Sequence, residues 1–153
     1  MADQDTIKTQ VLEALESALK AEIPLLKTVE GRDPVPTDLE TTPMPALFLY
    51  EQDETQAKRN RLALETIRVE MAGFFRLNPP GKKGFKGFYA LADRIAGMVD
   101  QVIQKSPALG GLVIQAQRDL KRPAIANETF GELILIYRIT YGHAWGNAFT
   151  QAY

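Results

Sequence analysis

Residues 78–87, NPPGKKGFKG, set three glycines and three lysines close together between a strand-like run and a helix-like one, where a phosphate-cradling loop would lie. A Walker-type loop needs a lysine and a hydroxyl directly after the second glycine of G-x-x-x-x-G-K-[ST], since those groups reach the phosphates and magnesium. Five residues after Gly81 stands Lys86, so that spacing fails. The dinucleotide fingerprint G-x-G-x-x-G fails too, because no glycine lies two residues before Gly81 or Gly84. GKKG does match the G-x-x-G loop of KH nucleic-acid modules. Asn78, Pro79 and Pro80, however, oppose the helix that must precede such a loop. What is left is a locally positive strand-to-helix loop, with Arg76, Lys82, Lys83 and Lys86 ahead of the first acid, Asp93. Such a loop suits solvent, an acidic partner surface or a nucleic-acid backbone.

Nucleophilic and acid-base chemistry finds little support. The serines are Ser17, in a helical pattern, and Ser106, before a proline, and the one histidine is His143, at the end of a strand pattern. None has the context of a nucleophile elbow. His143 is expected at a surface or interface, and a lone histidine does not make a zinc site. Glu51, Asp53 and Glu54, with Glu65 or Glu70, are the one acidic group that could hold a hard cation. Their spacing matches no calcium loop, and they read as an acidic surface turn. No enzyme, cofactor or metal is expected.

The chain has 153 residues, enough for one domain that buries a core without metal or disulfide. Eighteen basic against nineteen acidic residues give a net charge of −1, so any electrostatic role is local. The absence of cysteine removes thiol chemistry and fits a reducing cytoplasm. The opening MADQDTIKTQ lacks a signal-peptide pattern, and no run of 18 apolar residues exists, so the chain reads as soluble and without a membrane partner.

These residues must be positioned by the surrounding elements. Ile7, Val11, Leu15 and Leu19 predict a helix from Asp5 or Thr6 to about Glu22, closed by Pro24. GRDPVPTDLETTPMP, residues 31–45, is a proline-rich loop leading into the strand ALFLY. Ile67, Val69 and Met71 alternate with Arg68 and Glu70 as a second strand. Leu62 and Leu64 are out of phase with that set, which predicts either a bulge near Glu65 or a helical turn over Gln56 to Leu64. Phe88, Leu91, Ile95, Met98 or Val99, and Val102 predict a second helix stopped by Pro107. GGLVIQAQRDL and FGELILIYRITYG predict two further strands. The fold class is therefore α+β: about four mainly antiparallel strands with two helices packed on one face, ordered helix-strand-strand-helix-strand-strand. One domain spans 1–153, with a C-terminal aromatic extension at 142–153.

In the last strand Leu133, Leu135, Tyr137, Ile139 and Tyr141 share one side, while Ile134 and Ile136 lie on the other. If helices cover one face, the second must be covered by the chain's own loop or layer, or by a neighbouring subunit. The tail GHAWGNAFTQAY adds Trp145, Phe149 and Tyr153, spaced by four, as interface anchors or as a core flap.

The succession of an amphipathic helix, a proline loop, PALFLYEQDE, ETIRVEMAGFF, FYALADRIAGMVDQVI and GELILIYRITY resembles the tail terminator, or tail-completion, proteins of long-tailed bacteriophages and related neck proteins. The resemblance spans nearly the whole chain and rests on element order, length and strand texture. It implies a structural subunit that forms a homo-oligomeric ring, typically a hexamer, capping the tail tube and joining it to the head connector. The partners implied are further copies of itself, the tail tube protein, the connector and, transiently, passing DNA. The place implied is the virion tail or neck, assembled in the host cytoplasm. On that reading the Lys82, Lys83 and Lys86 loop faces the lumen or an acidic partner, Glu51, Asp53 and Glu54 meet a basic neighbour, and Ile134, Ile136, Trp145, Phe149 and Tyr153 are interface candidates. The alternative is a small nucleic-acid-binding module using the 81–87 loop, with Phe85 and Phe88 as stacking platforms.

Overall fold

Thr6 starts the chain's first helix by accepting a hydrogen bond on its hydroxyl from the Thr9 amide at 3.2 Å. In this computed structural model, which describes residues 5–34, 39–104 and 112–151, helix α1 runs Ile7–Glu22 and buries Ile7, Val11, Leu15 and Leu19 along one stripe. It ends at Ile23, before Pro24, as the fixed proline geometry dictates. Strands β1 (Thr28–Glu30), β2 (Ala46–Arg59) and β3 (Leu62–Arg76) follow. After a 3₁₀ turn at Lys82–Gly84 come helix α2 (Phe85–Ile103) and strands β4 (Gln115–Ile125) and β5 (Phe130–Ala144). Pro107 and Tyr153, singled out above, lie outside the described residues.

Among the described residues the sheet has five strands in the order β1-β2-β3-β5-β4, antiparallel except where β1 lies parallel to β2. The sequence pattern implies about four strands and does not show β1, whose presence makes the element order helix-strand-strand-strand-helix-strand-strand. A three-residue strand with one buried side chain, Val29, is too short to show alternation. It is held by pairing with Ala46–Phe48 across the proline loop, a contact no local pattern encodes.

The out-of-phase Leu62 and Leu64 correct a second expectation. Neither a bulge at Glu65 nor a helical turn occurs: β2 and β3 form one hairpin closed at Asn60, which takes φ 59°, a conformation asparagine tolerates. β3 keeps a single register from Leu62 to Arg76, with Ala63, Glu65, Ile67, Val69 and Met71 inward and the two leucines on the other face. The pattern looked broken because one inward position carries a glutamate.

Both helices pack on one face, over Leu47, Leu49, Ile67, Val69, Met71, Leu133, Leu135, Tyr137 and Ile139. Asp100 of α2 accepts from the Tyr137 hydroxyl and from Arg118 Nη1 at 2.6 Å, which ties the helix to β5 and β4. The opposite face carries a second apolar cluster: Ala46, Phe48, Ala72, Phe74, Ile134 and Ile136. Leu39 and Met44 of the proline loop pack against it, Arg32 lies 4.9 Å above the Phe48 ring, and Arg76 Nη2 donates to the Glu40 carbonyl at 2.6 Å. The loop is thus fastened over the second face.

Gly131 sits where the Phe88 ring crosses β5, and a Cβ there would lie 2.4 Å from ring carbons. Because that ring is wedged against Phe75 at 5.5 Å between centroids, it has little room to retreat. Gly131→Ala is expected to cost about 1–3 kcal/mol in urea unfolding, the range for overpacked cores.

Candidate functional site

The acidic residues foreseen as a turn stand on β2 itself. A register shift between Glu51 and Asp53 inserts Gln52 as an extra residue, so Glu51 and Glu54 fall on the same, helix-covered side. Both carboxylates grip Lys8 of α1, each at 2.7 Å. Burial would lower the Lys8 pKa, but the bonds to the two carboxylates outweigh it and hold it above the ordinary lysine value. Burial likewise works against the Glu54 carboxylate, yet Lys8 and the Tyr141 hydroxyl, which donates to it at 3.0 Å, keep its pKa below the usual range. A basic residue for these acids is therefore supplied by the chain's own first helix. Asp53 points to the other face, opposite Arg68 on β3.

Next to this cluster lies a pair that reading by motif missed. His143 is buried rather than at the surface, and its Nε2 meets Glu65 Oε1 at 3.0 Å while Nδ1 meets the Ala144 carbonyl at 2.8 Å. Gln56 Nε2 donates to the same glutamate oxygen at 2.5 Å. Two acceptors facing two ring nitrogens favour the imidazolium. Burial opposes that charge, but the bonds to Ala144 and Glu65 outweigh it and raise the His143 pKa above 6.5. The signal available in the sequence was Glu65 itself, a polar residue in the inward register of an apolar strand, which must find a partner. The pair forms one wall of a shallow recess of about 360 Å³ bordered by Trp145. It supplies a buried charge pair and no nucleophile: Ser17 lies on the exposed side of α1, and Ser106 is outside the described residues. Among the described residues no group of three or more acidic or histidine side chains is placed to hold a metal.

The remaining candidates are scattered. Lys82 and Lys83 form the 3₁₀ turn and Lys86 the first turn of α2, all exposed. Gly84 is needed for packing, since a Cβ there would fall 2.1 Å from the Pro79 carbonyl oxygen. Strand β3 and a turn precede this G-x-x-G, not a helix. Phe88 is buried and Phe85 packs against the core, so neither is a free stacking platform. Ile134 and Ile136 are buried under the proline-loop side. Trp145 and Phe149 are 46% and 45% exposed, in turns after β5, with Lys58 Nζ 4.8 Å from the Trp145 ring centre. Lys58 belongs to a basic hairpin tip with Arg59 and Arg61, which the sequence reading passed over; the Trp145 amide donates to the Arg61 carbonyl at 2.8 Å and fastens the tail to that tip. The lysine loop and the hairpin tip lie at opposite ends of β3, some fifteen residues or roughly 50 Å apart.

No protein-family model and no curated protein matches the chain. Among solved structures it is similar to a chain of the virion of native gene transfer agent (GTA) particle, 12% identical over 90% of this chain and 92% of that one, with a TM-score of 0.45. A likeness of that degree carries no functional argument.

Two outcomes are expected. The stability supplied by His143 is complete below the unfolded value of 6.5 and lost as pH rises through the higher folded value. Thermal midpoints measured across pH 5.5–8.5 should therefore fall above about 6.5, and His143→Gln should flatten that fall. Ile136→Asp, which buries a charge in the second cluster, should destabilise the isolated subunit by about 3 kcal/mol or more in denaturant titration.

Proposed function

We propose that this chain, taken as one α+β domain over 1–153, is a structural component of a phage-like virion and serves as a tail-terminator-type subunit. It closes into a ring, a hexamer, on the tail tube and presents a surface to the head connector, with the genome passing through its lumen. The virion tail or neck is its place, reached by assembly in the host cytoplasm. The strand texture, and the succession of an amphipathic helix, a proline loop, a long hairpin, a second helix and a closing strand pair, support this reading.

The observation that carries it is a mismatch of lengths. Strands of 14 and 15 residues span about 46–50 Å, whereas helices of 16 and 19 residues span about 24–28 Å. The sheet therefore outruns its helical layer. β1 pairs only with Ala46–Phe48, so from Leu49 onward the outer edge of β2 has no neighbouring strand among the described residues. Its half from Glu51 to Arg59 is almost wholly exposed. An arm of this kind, with the exposed Trp145 beside its tip, is a surface suited to another protein chain. Different patches meeting around a closed cycle make a ring, which suits a subunit with a basic hairpin tip and, elsewhere, an acidic surface between α1 and β2.

Native mass spectrometry at several concentrations, followed by negative-stain imaging of any large species, tests the reading. A hexameric ring with a central hole is expected. A monomer at every concentration overturns it.

A further inference from the structure

Two features of this surface complement one another. Between α1 and the open edge of β2 lies a groove of about 400 Å³. Its floor is apolar, built by Leu12, Leu15, Leu49 and Val69. Its rim is acidic, carrying Glu13, Glu16, Asp33 and Glu51. Lys8 engages Glu51 and Lys20 engages Glu16, the latter at 3.3 Å on an exposed helix turn, while Glu13 and Asp33 have no ion-pair partner among the described residues. The groove exists because β1 stops after three residues and leaves α1 beside the outer edge of β2, which past Phe48 has no neighbouring strand among the described residues.

The hairpin tip has the opposite character. Lys58, Arg59 and Arg61 are exposed, no carboxylate lies between Thr55 and Leu64, and neither arginine has an ion-pair partner among the described residues. Trp145 stands beside them, with Lys58 over its ring. Trp and Arg are the residues most enriched where one protein anchors in another. The tip cannot reach its own groove: Glu51 and Arg59 are eight residues apart on one strand, about 27 Å.

We propose that the basic, aromatic hairpin tip of one copy seats in the acid-rimmed apolar groove of the next. This rests on the ring reading above and names its interface. The tip's apolar ring covers the leucine floor, its cations meet the uncompensated rim carboxylates, and the charge pattern sets direction and approach more than total affinity. Tip and groove are different patches, so the contact is head-to-tail and each copy both gives and receives one. A groove of this size is near the lower end for ligand pockets, roughly 300–1,000 Å³, and suits one or two side chains rather than a long segment.

Charge reversal tests the contact. Arg59→Glu/Arg61→Glu and Glu13→Lys/Asp33→Lys change exposed residues without an ion-pair partner among the described residues, and circular dichroism and thermal melting of each variant should match the parent. Sedimentation velocity of the parent is expected to show multimers, and each variant alone should associate at least tenfold more weakly. An equimolar mixture of the two variants should regain multimers, because reversed tips then meet reversed grooves while native tips meet native grooves. Since the chain has no cysteine, Glu13→Cys/Arg61→Cys gives an independent readout: oxidation should produce a ladder of covalent multimers. If the parent forms rings while both variants assemble as it does and no ladder appears, this contact is overturned and the ring reading stands. A parent that stays monomeric at every concentration overturns both.

Discussion

The rest of the molecule hangs on the ladder between β3 and β5, paired without interruption from Leu62↔Ala144 to Arg76↔Phe130. Because side chains alternate across a strand, a ladder apolar on both sides must be covered twice. The helices cover one side through Val69, Met71, Leu135 and Tyr137, and the proline loop covers the other through Leu39 and Met44. Neither cover would have a seat without the other strand pair in register. A one-residue slip would exchange the faces and leave Glu65 and His143 on opposite sides of the sheet from their present partners.

The charges divide along the same line. Where the sheet is covered, ionisable groups are drawn into bonded sets: Lys8 with Glu51 and Glu54, Tyr141 on Glu54, His143 on Glu65, Asp100 with Tyr137 and Arg118. Burial makes an unpaired charge costly, so those positions carry partners. Where β2 runs past the helices that penalty vanishes, and Arg59 and Arg61 stand in water. The covered part of the sheet is neutralised by its own partners while the tip is basic and the groove rim acidic, a division that the net charge of −1 conceals.

Long strands with short helices also explain why motif searches find so little. The hairpin's exposed cations and the aromatic side chain beside them are common residue types whose meaning comes from where they are placed. The lysine loop attracted notice because glycine and lysine cluster in it, yet Gly84 is there for packing against Pro79 and the phenylalanines beside it are turned inward. The hairpin tip carries no such compositional flag and is defined by two stretches, 58–61 and 145–149, that meet through the Trp145–Arg61 bond and through Lys58 over the Trp145 ring.

Local physics alone determined much. Periodicity of 3.6 set both helices, a threonine cap and Pro24 bounded the first, and alternation placed β3 and β5 and the two apolar faces of β5. Each of these depends on neighbours a few positions apart in the chain. Only the tertiary structure decided the rest. β1 exists because a distant strand gives it hydrogen-bond partners; Glu65 faces inward because His143, 78 residues away, makes that affordable; Glu51 and Glu54 share a face because Gln52 is an extra residue in a ladder that only pairing defines. The groove is the gap left by a strand too short to fill it. Partners separated by tens of residues leave no period in the sequence, since what selects them is the free energy of burying polar groups together.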